Sequence, residues 1–119
     1  MAKTTKKDFE VFKEEARKWI NIFGLISWEV EFEHKNINEF LASVSFDADN
    51  RCATLYLSPD WGQRKISDYE IKRTAFHESC ELLMCGMRRI SERRFITLAE
   101  IDTETHRIIR TLENVLWEE

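Results

Sequence analysis

Between Thr5 and Phe23 the apolar residues Phe9, Phe12, Ala16, Trp19, Ile20 and Phe23 recur every three or four positions, with Lys and Glu on the opposite side. That spacing predicts an amphipathic helix ending at Gly24. The next run, Trp28-Glu-Val-Glu-Phe-Glu-His34, alternates strictly. Trp28, Val30, Phe32 and His34 then share one face of a half-buried strand, and Glu29, Glu31 and Glu33 the other, where their charge discourages edge pairing with a second molecule. Two further alternating runs, Phe40 to Phe46 and Arg51 to Ser58, flank Asp47-Ala-Asp-Asn50. Asp and Asn tolerate the backbone angles of a tight reversal, so the pair reads as a hairpin.

Ser58-Pro59-Asp60-Trp61-Gly62 contains the only proline, so the strands should stop there and a loop begin, with Trp61 capping the core. From Ser67 or Asp68 to Gly86 the pattern turns helical again: Ile71, Ala75, Leu82 and Cys85 form one stripe, acidic residues occupy the first turn, and Gly86 is the expected stop. Thr97-Leu-Ala-Glu100 matches a capping box, and Leu98, Ile101, Ile108, Leu112 and Val115 keep a helical period to Trp117. The order is helix, three strands, helix, helix: an α+β fold with a small, largely antiparallel three-stranded sheet, in a single domain spanning residues 1–119 without repeats or linkers.

Composition narrows the partners. A hydrophobic share of 43% beside 34% charged residues, with four Trp and eight Phe, is the balance of a soluble globule able to fill a core without disulfides. The formal charge of −4 gives no overall attraction to nucleic acid or an anionic membrane, and no run approaches the roughly 20 apolar residues of a membrane span. Cys52, Cys80 and Cys85 are odd in number and form no Cys-x-x-Cys pair, and the basic start leads into a charged helix rather than an apolar signal core. A reducing, cytoplasmic setting is expected.

The chemistry concentrates in His77-Glu78-Ser79-Cys80-Glu81. His77 and Glu81 are four residues apart, hence one turn apart on one helix face, a separation able to share a metal ion. Glu78 points about 100° further round, where it can act as general base toward metal-activated water. A catalytic zinc usually takes three protein donors, so a third is needed from elsewhere. His106 on the last helix is the first choice, Asp102 and Glu104 are alternative oxygen donors, and His34 is a weaker candidate. A His-Glu-x-x-Glu string on a charged helix commonly means only a solvated face, but the apolar surroundings of this one argue otherwise: a buried carboxylate needs a cation, a hydrogen bond or a proton. Cys80 and Cys85 read as small buried hydrophobes, and Arg88, Arg89, Arg93 and Arg94 as a solvated connection.

In these segments the chain resembles the zincin-like metallopeptidases, particularly small phage-type members with a short sheet followed by a His-Glu-x-x-His or His-Glu-x-x-Glu helix. The resemblance covers roughly residues 28–116 and rests on Trp28-Glu-Val, Ala53-Thr-Leu-Tyr-Leu-Ser58 with Asp60-Trp61, Ala75 to Leu83, and His106-Arg-Ile-Ile-Arg110 before Leu112. It implies one zinc ion at His77, Glu81 and His106, Glu78 as general base, hydrolysis of a peptide or protein substrate, and an edge strand at Arg51–Ser58 receiving that substrate. Glu81 stands where the better-known zinc proteases carry a second His, which adds negative charge and makes a bound metal a weaker Lewis acid. The rival expectation is a catalytically inactive binding protein of the same shape, with a structural metal or none.

Overall fold

The computed structural model describes residues 2–37, 40–93 and 95–117. Its elements are β1 (Ala2–Lys3), α1 (Lys6–Ile22), β2 (Glu29–His34), β3 (Ala42–Asp47), β4 (Cys52–Leu57), β5 (Asp60–Gly62), α2 (Asp68–Leu83), α3 (Cys85–Ser91) and α4 (Leu98–Leu116). Helices and strands are thus mixed in one chain.

Helix α1 begins where the Thr5 hydroxyl accepts from the Asp8 amide while the Asp8 carboxylate accepts from the Thr5 amide, satisfying two donors that a helix start leaves free. It stops at Gly24, whose φ of 74° suits glycine. There the amides of Gly24 and Leu25 turn back onto the Asn21 and Ile20 carbonyls, closing the last turn. Phe12, Ala16 and Ile20 form its buried stripe.

The three-stranded sheet has the order β2-β4-β3. β3 and β4 form the expected hairpin, Ala42 opposite Leu57 and Asp47 opposite Cys52. The Asp47 side chain receives the amides of Asp49 and Asn50 across the turn, which the Asn50 side chain also closes at 2.7 Å. β2, however, lies parallel to β4, with Glu29 beside Cys52 and His34 beside Leu57. The sheet is therefore mixed rather than largely antiparallel. Alternation fixes which residues share a face but not which neighbour a strand chooses or in which direction.

This topology also corrects the place assigned to Arg51–Ser58. Its strand β4 is central, paired on both sides, and has no free edge to offer an extended chain. Ala53, Leu55 and Leu57 point into the core beneath α1 and α2, each of the two leucines contributing about 1.5–3 kcal/mol. Glu29, Glu31 and Glu33 face solvent, and Val30, Phe32 and His34 are half-buried.

Two expectations after the sheet also change. Residues 58–62 do not form a plain loop: β5 pairs antiparallel with β1, and the Thr4 hydroxyl bridges the Ser58 carbonyl and His34 Nε2 at 2.8 and 2.7 Å. Two-residue pairings lack the periodic signal that reveals longer strands. Trp61 is buried in the core as expected. Gly86, the expected helix stop, instead lies within α3, because α2 already ends at Leu83 and the chain re-enters a helix after Met84. Arg88, Arg89 and Arg93 pair with Glu92, Asp49 and Glu100, while Arg94 lies outside the described residues.

Helix α4 starts with the expected capping box between Thr97 and Glu100, yet it buries no residue. Its side toward the body carries Glu104, Arg107, Ile108 and Val115, whereas Leu98, Ile109, Leu112 and Leu116 remain exposed. No helix among the described residues is long and apolar enough to cross a membrane.

Candidate metal centre

The site stands on α2, which is fixed from both ends of its sequence. Ser67 caps the first turn by accepting from the Glu70 amide, and Asp68 and Glu70 place negative charge at the positive end of the helix dipole. Ile71, Ala75 and Leu82 are wholly buried. Ser79, also buried, satisfies its hydroxyl on the Ala75 carbonyl at 2.9 Å, which lets α2 approach the α1 backbone at Ala16. Phe76 meets the Trp19 ring edge-on at 4.7 Å between centroids.

With that stripe held inward, His77 and Glu81 come out on the accessible side, His77 Nε2 lying 3.2 Å from Glu81 Oε2. Glu78 falls between the exposed and buried faces and is only 4% accessible. One ligand atom from each of His77, Glu78 and Glu81 lies within 4.8 Å of the other two, the sole group of three or more such donors among the described residues. Burial, then the adjacent negative charge of Glu81 and a hydrogen bond to it, push the Glu78 carboxyl up to about 8. Its Oε1 is buried without a hydrogen-bond partner.

That orphaned oxygen tests whether a cation fits. A buried carboxylate atom normally finds a donor, and leaving one bare costs about 1–3 kcal/mol or more. Here the neighbours are another carboxylate and an imidazole, so the set is short of positive charge. One imidazole and two carboxylates are donors suited to zinc and related divalent ions. A hollow of 290 Å³ opens beside Glu78 and His77, bordered by Leu41, Ala42, Arg64 and Arg73. A smaller one, 180 Å³, lies on the other side against Glu81, Cys80, Met84 and Arg88.

The remaining sequence candidates lie elsewhere. His106 does not join the cluster: its Nδ1 sits 2.8 Å from the Asp102 carbonyl, and it lines a separate depression along α4 with Asp102 and Arg110. Helix α4 packs beside α3 rather than against the exposed face of α2, so the expected third donor is not delivered there. Glu104 is committed to Arg107 at 2.8 Å. His34 is held by Thr4 and stacked on Phe9 at 5.0 Å. Cys85 is buried and Cys80 half-buried, and burial raises both thiols, as befits small apolar fillers. Sequence reasoning missed the two arginines at the larger hollow, Arg64 and Arg73, which no motif marks.

Comparison with protein-family models, with curated proteins and with solved structures gives no match.

Proposed function

We propose that this chain is a zincin-like, metal-dependent hydrolase of the peptidase type, with zinc held by His77 and Glu81 and with Glu78 as general base. The observation that carries the reading is Glu78 Oε1, buried and unpartnered beside two donors one helical turn apart. A divalent cation removes the cost of that arrangement. When bound, such an ion polarises a carbonyl oxygen and acidifies water.

The rest is the work of the chain's own groups. A carboxyl pushed up to about 8 exchanges its proton near neutral pH, which is what a general base in hydrolysis needs, and a bound cation would draw that value down. The 290 Å³ hollow gives a peptide or protein segment access to this carboxyl, with Arg64 and Arg73 at its border to orient carbonyl or carboxylate oxygens. The order of a small sheet, a His-Glu-x-x-Glu helix and a C-terminal helix adds support for the zincin-like reading. Three free cysteines fit a cytoplasmic setting.

A second reading has its own observation. A Glu78 oxygen lies within 4.8 Å of the other two donors, so it can serve as third ligand, which would leave a binding protein with a structural metal. Glu78→Gln separates the two. Protein purified without chelator or a metal-binding tag should contain about one zinc per chain, lost in His77→Ala and Glu81→Ala. If Glu78→Gln retains the zinc but loses cleavage of a denatured-protein substrate, the hydrolase stands; if it loses the zinc and the parent cleaves nothing, the structural reading replaces it. Parent protein without stoichiometric metal under zinc-replete conditions sinks both.

A further inference from the structure

Another hollow, of 330 Å³, lies beyond the end of α2, where the end of α1, the start of β2, the β3–β4 turn, α3 and α4 converge. Phe23, Leu25, Trp28 and Cys85 give it apolar walls. Burial raises the Cys85 thiol, so that side chain is a neutral wall rather than a nucleophile.

Its polar lining is unbalanced. Arg51, Arg89 and Arg107 border the hollow against the single carboxylate of Glu104. Glu104 is already engaged: its Oε2 accepts from Arg107 Nε at 2.8 Å, and Arg107 Nη2 donates to the Leu83 carbonyl at 2.7 Å, which fixes this pair between α4 and the end of α2. Arg51 donates to the neutral hydroxyl of Ser27 at 2.8 Å. Arg89 reaches Asp49 at 3.3 Å, but that side chain is 77% exposed and is not part of the lining. A hollow with two cationic groups in excess is notable on a chain whose formal charge is −4.

We propose that this hollow binds a small organic anion: a ring-sized apolar body against Trp28 and Phe23, with a carboxylate or phosphate head between Arg51 and Arg89. The volume is in the range of small-molecule sites, which pair apolar walls with a few convergent polar groups. Guanidinium forks match the geometry of both heads and stay charged at every physiological pH. The site shares no lining residue with the α2 cluster, so it stands or falls independently of the metal.

Calorimetric titration with phenyl phosphate and with benzoate tests this. One-to-one binding is expected for at least one of them, with a Kd of about 0.1–1 mM. The tighter of the two identifies the head, and benzyl alcohol, which lacks the charge, should not bind. Arg51→Ala and Arg89→Ala should each weaken binding by about tenfold. Arg51→Lys and Arg89→Lys, which keep the charge but lose the fork, serve in the same way should an alanine variant fail to fold. Glu104→Gln, which releases Arg107 from its carboxylate, should tighten binding. Absence of binding at millimolar ligand, affinity unchanged in the arginine variants, or weaker binding in Glu104→Gln overturns the proposal.

Discussion

His77 Nε2 and Glu81 Oε2 lie 3.2 Å apart across one turn of α2, and the buried carboxyl of Glu78 closes the same triangle. In the absence of a cation the two acidic groups oppose each other, and burial adds to the opposition; the proton that settles on Glu78 is the molecule's own remedy. Binding a metal must displace it. With Glu78 at about 8, uptake of zinc at pH 7 should release about one proton from this group, and the release should decline as the pH rises above 8. Calorimetry in buffers of different ionisation enthalpy measures the count. Proton release that is absent at pH 7, or that grows with pH, contradicts it.

The same carboxyl sets a pH dependence of folding. Its folded value, about 8, is above the ordinary 4.5, so between those limits the folded state holds more proton than the unfolded one. Stability of the metal-free protein should therefore fall as pH rises from 4.5 toward 8 and level off beyond, with the full benefit present below 4.5. Glu78→Gln, neutral at every pH, should remove much of that slope, gaining on the parent by roughly 1–3 kcal/mol at the alkaline end. Urea denaturation across the range, with chelator present, gives the comparison. Parallel curves for the two proteins would refute the claim.

Gly86 offers a different kind of test. A Cβ built there would lie 2.6 Å from Glu104 Cδ, so an alanine must push that carboxylate off its seat beside Arg107. Alanine in a helix is favoured over glycine by about 1 kcal/mol, which should nearly cancel the loss of the ion pair. Gly86→Ala alone is expected to change stability by less than about 0.5 kcal/mol, and in a Glu104→Ala background to stabilise by about 0.5–1 kcal/mol. Thermal denaturation of the four proteins closes the cycle.

Leu55 and Leu112 are both Leu in regular elements, yet Leu55 is wholly buried and Leu112 is 41% accessible. Leu55→Ala should cost about 2–5 kcal/mol through lost burial and the cavity left behind. Leu112→Ala should cost less than about 1 kcal/mol. Equal losses in chemical denaturation would mean that α4 is buried in solution by something other than this chain.

The sequence carried each long element and most of its limits. Thr5, Ser67 and Thr97 each cap a helix where the pattern turns from loop to stripe, and Asp47 and Asn50 close the hairpin. Local chemistry of that sort is written in adjacent residues. What depends on distant ones was not legible. The parallel pairing of β2 with β4 joins segments far apart in the chain, and β1–β5 is too short to leave a period. Gly86 reads as a stop because glycine usually is one, but here it makes room for Glu104. In the site, His77, Glu78 and Glu81 are contained in five consecutive residues, which the sequence marks with Glu78 as general base, whereas the structure brings its carboxyl within the same group of donors. The expectation for His106 required knowing how α4 docks, and its stripe of Leu98, Ile101, Ile108, Leu112 and Val115 suggested a buried helix where the structure has one that buries nothing.

That shallow seat of α4 has a consequence for motion. A helix held by an N-terminal cap, a rim of half-covered side chains and the Arg107–Leu83 bond should open at lower cost than the sheet. Its amides should exchange with deuterium through sub-global openings, while those of β4, enclosed by two partner strands, wait for the whole molecule to unfold. The C-terminal helix should therefore open as a foldon of its own, and the arginine-lined hollow it helps to wall should open with it.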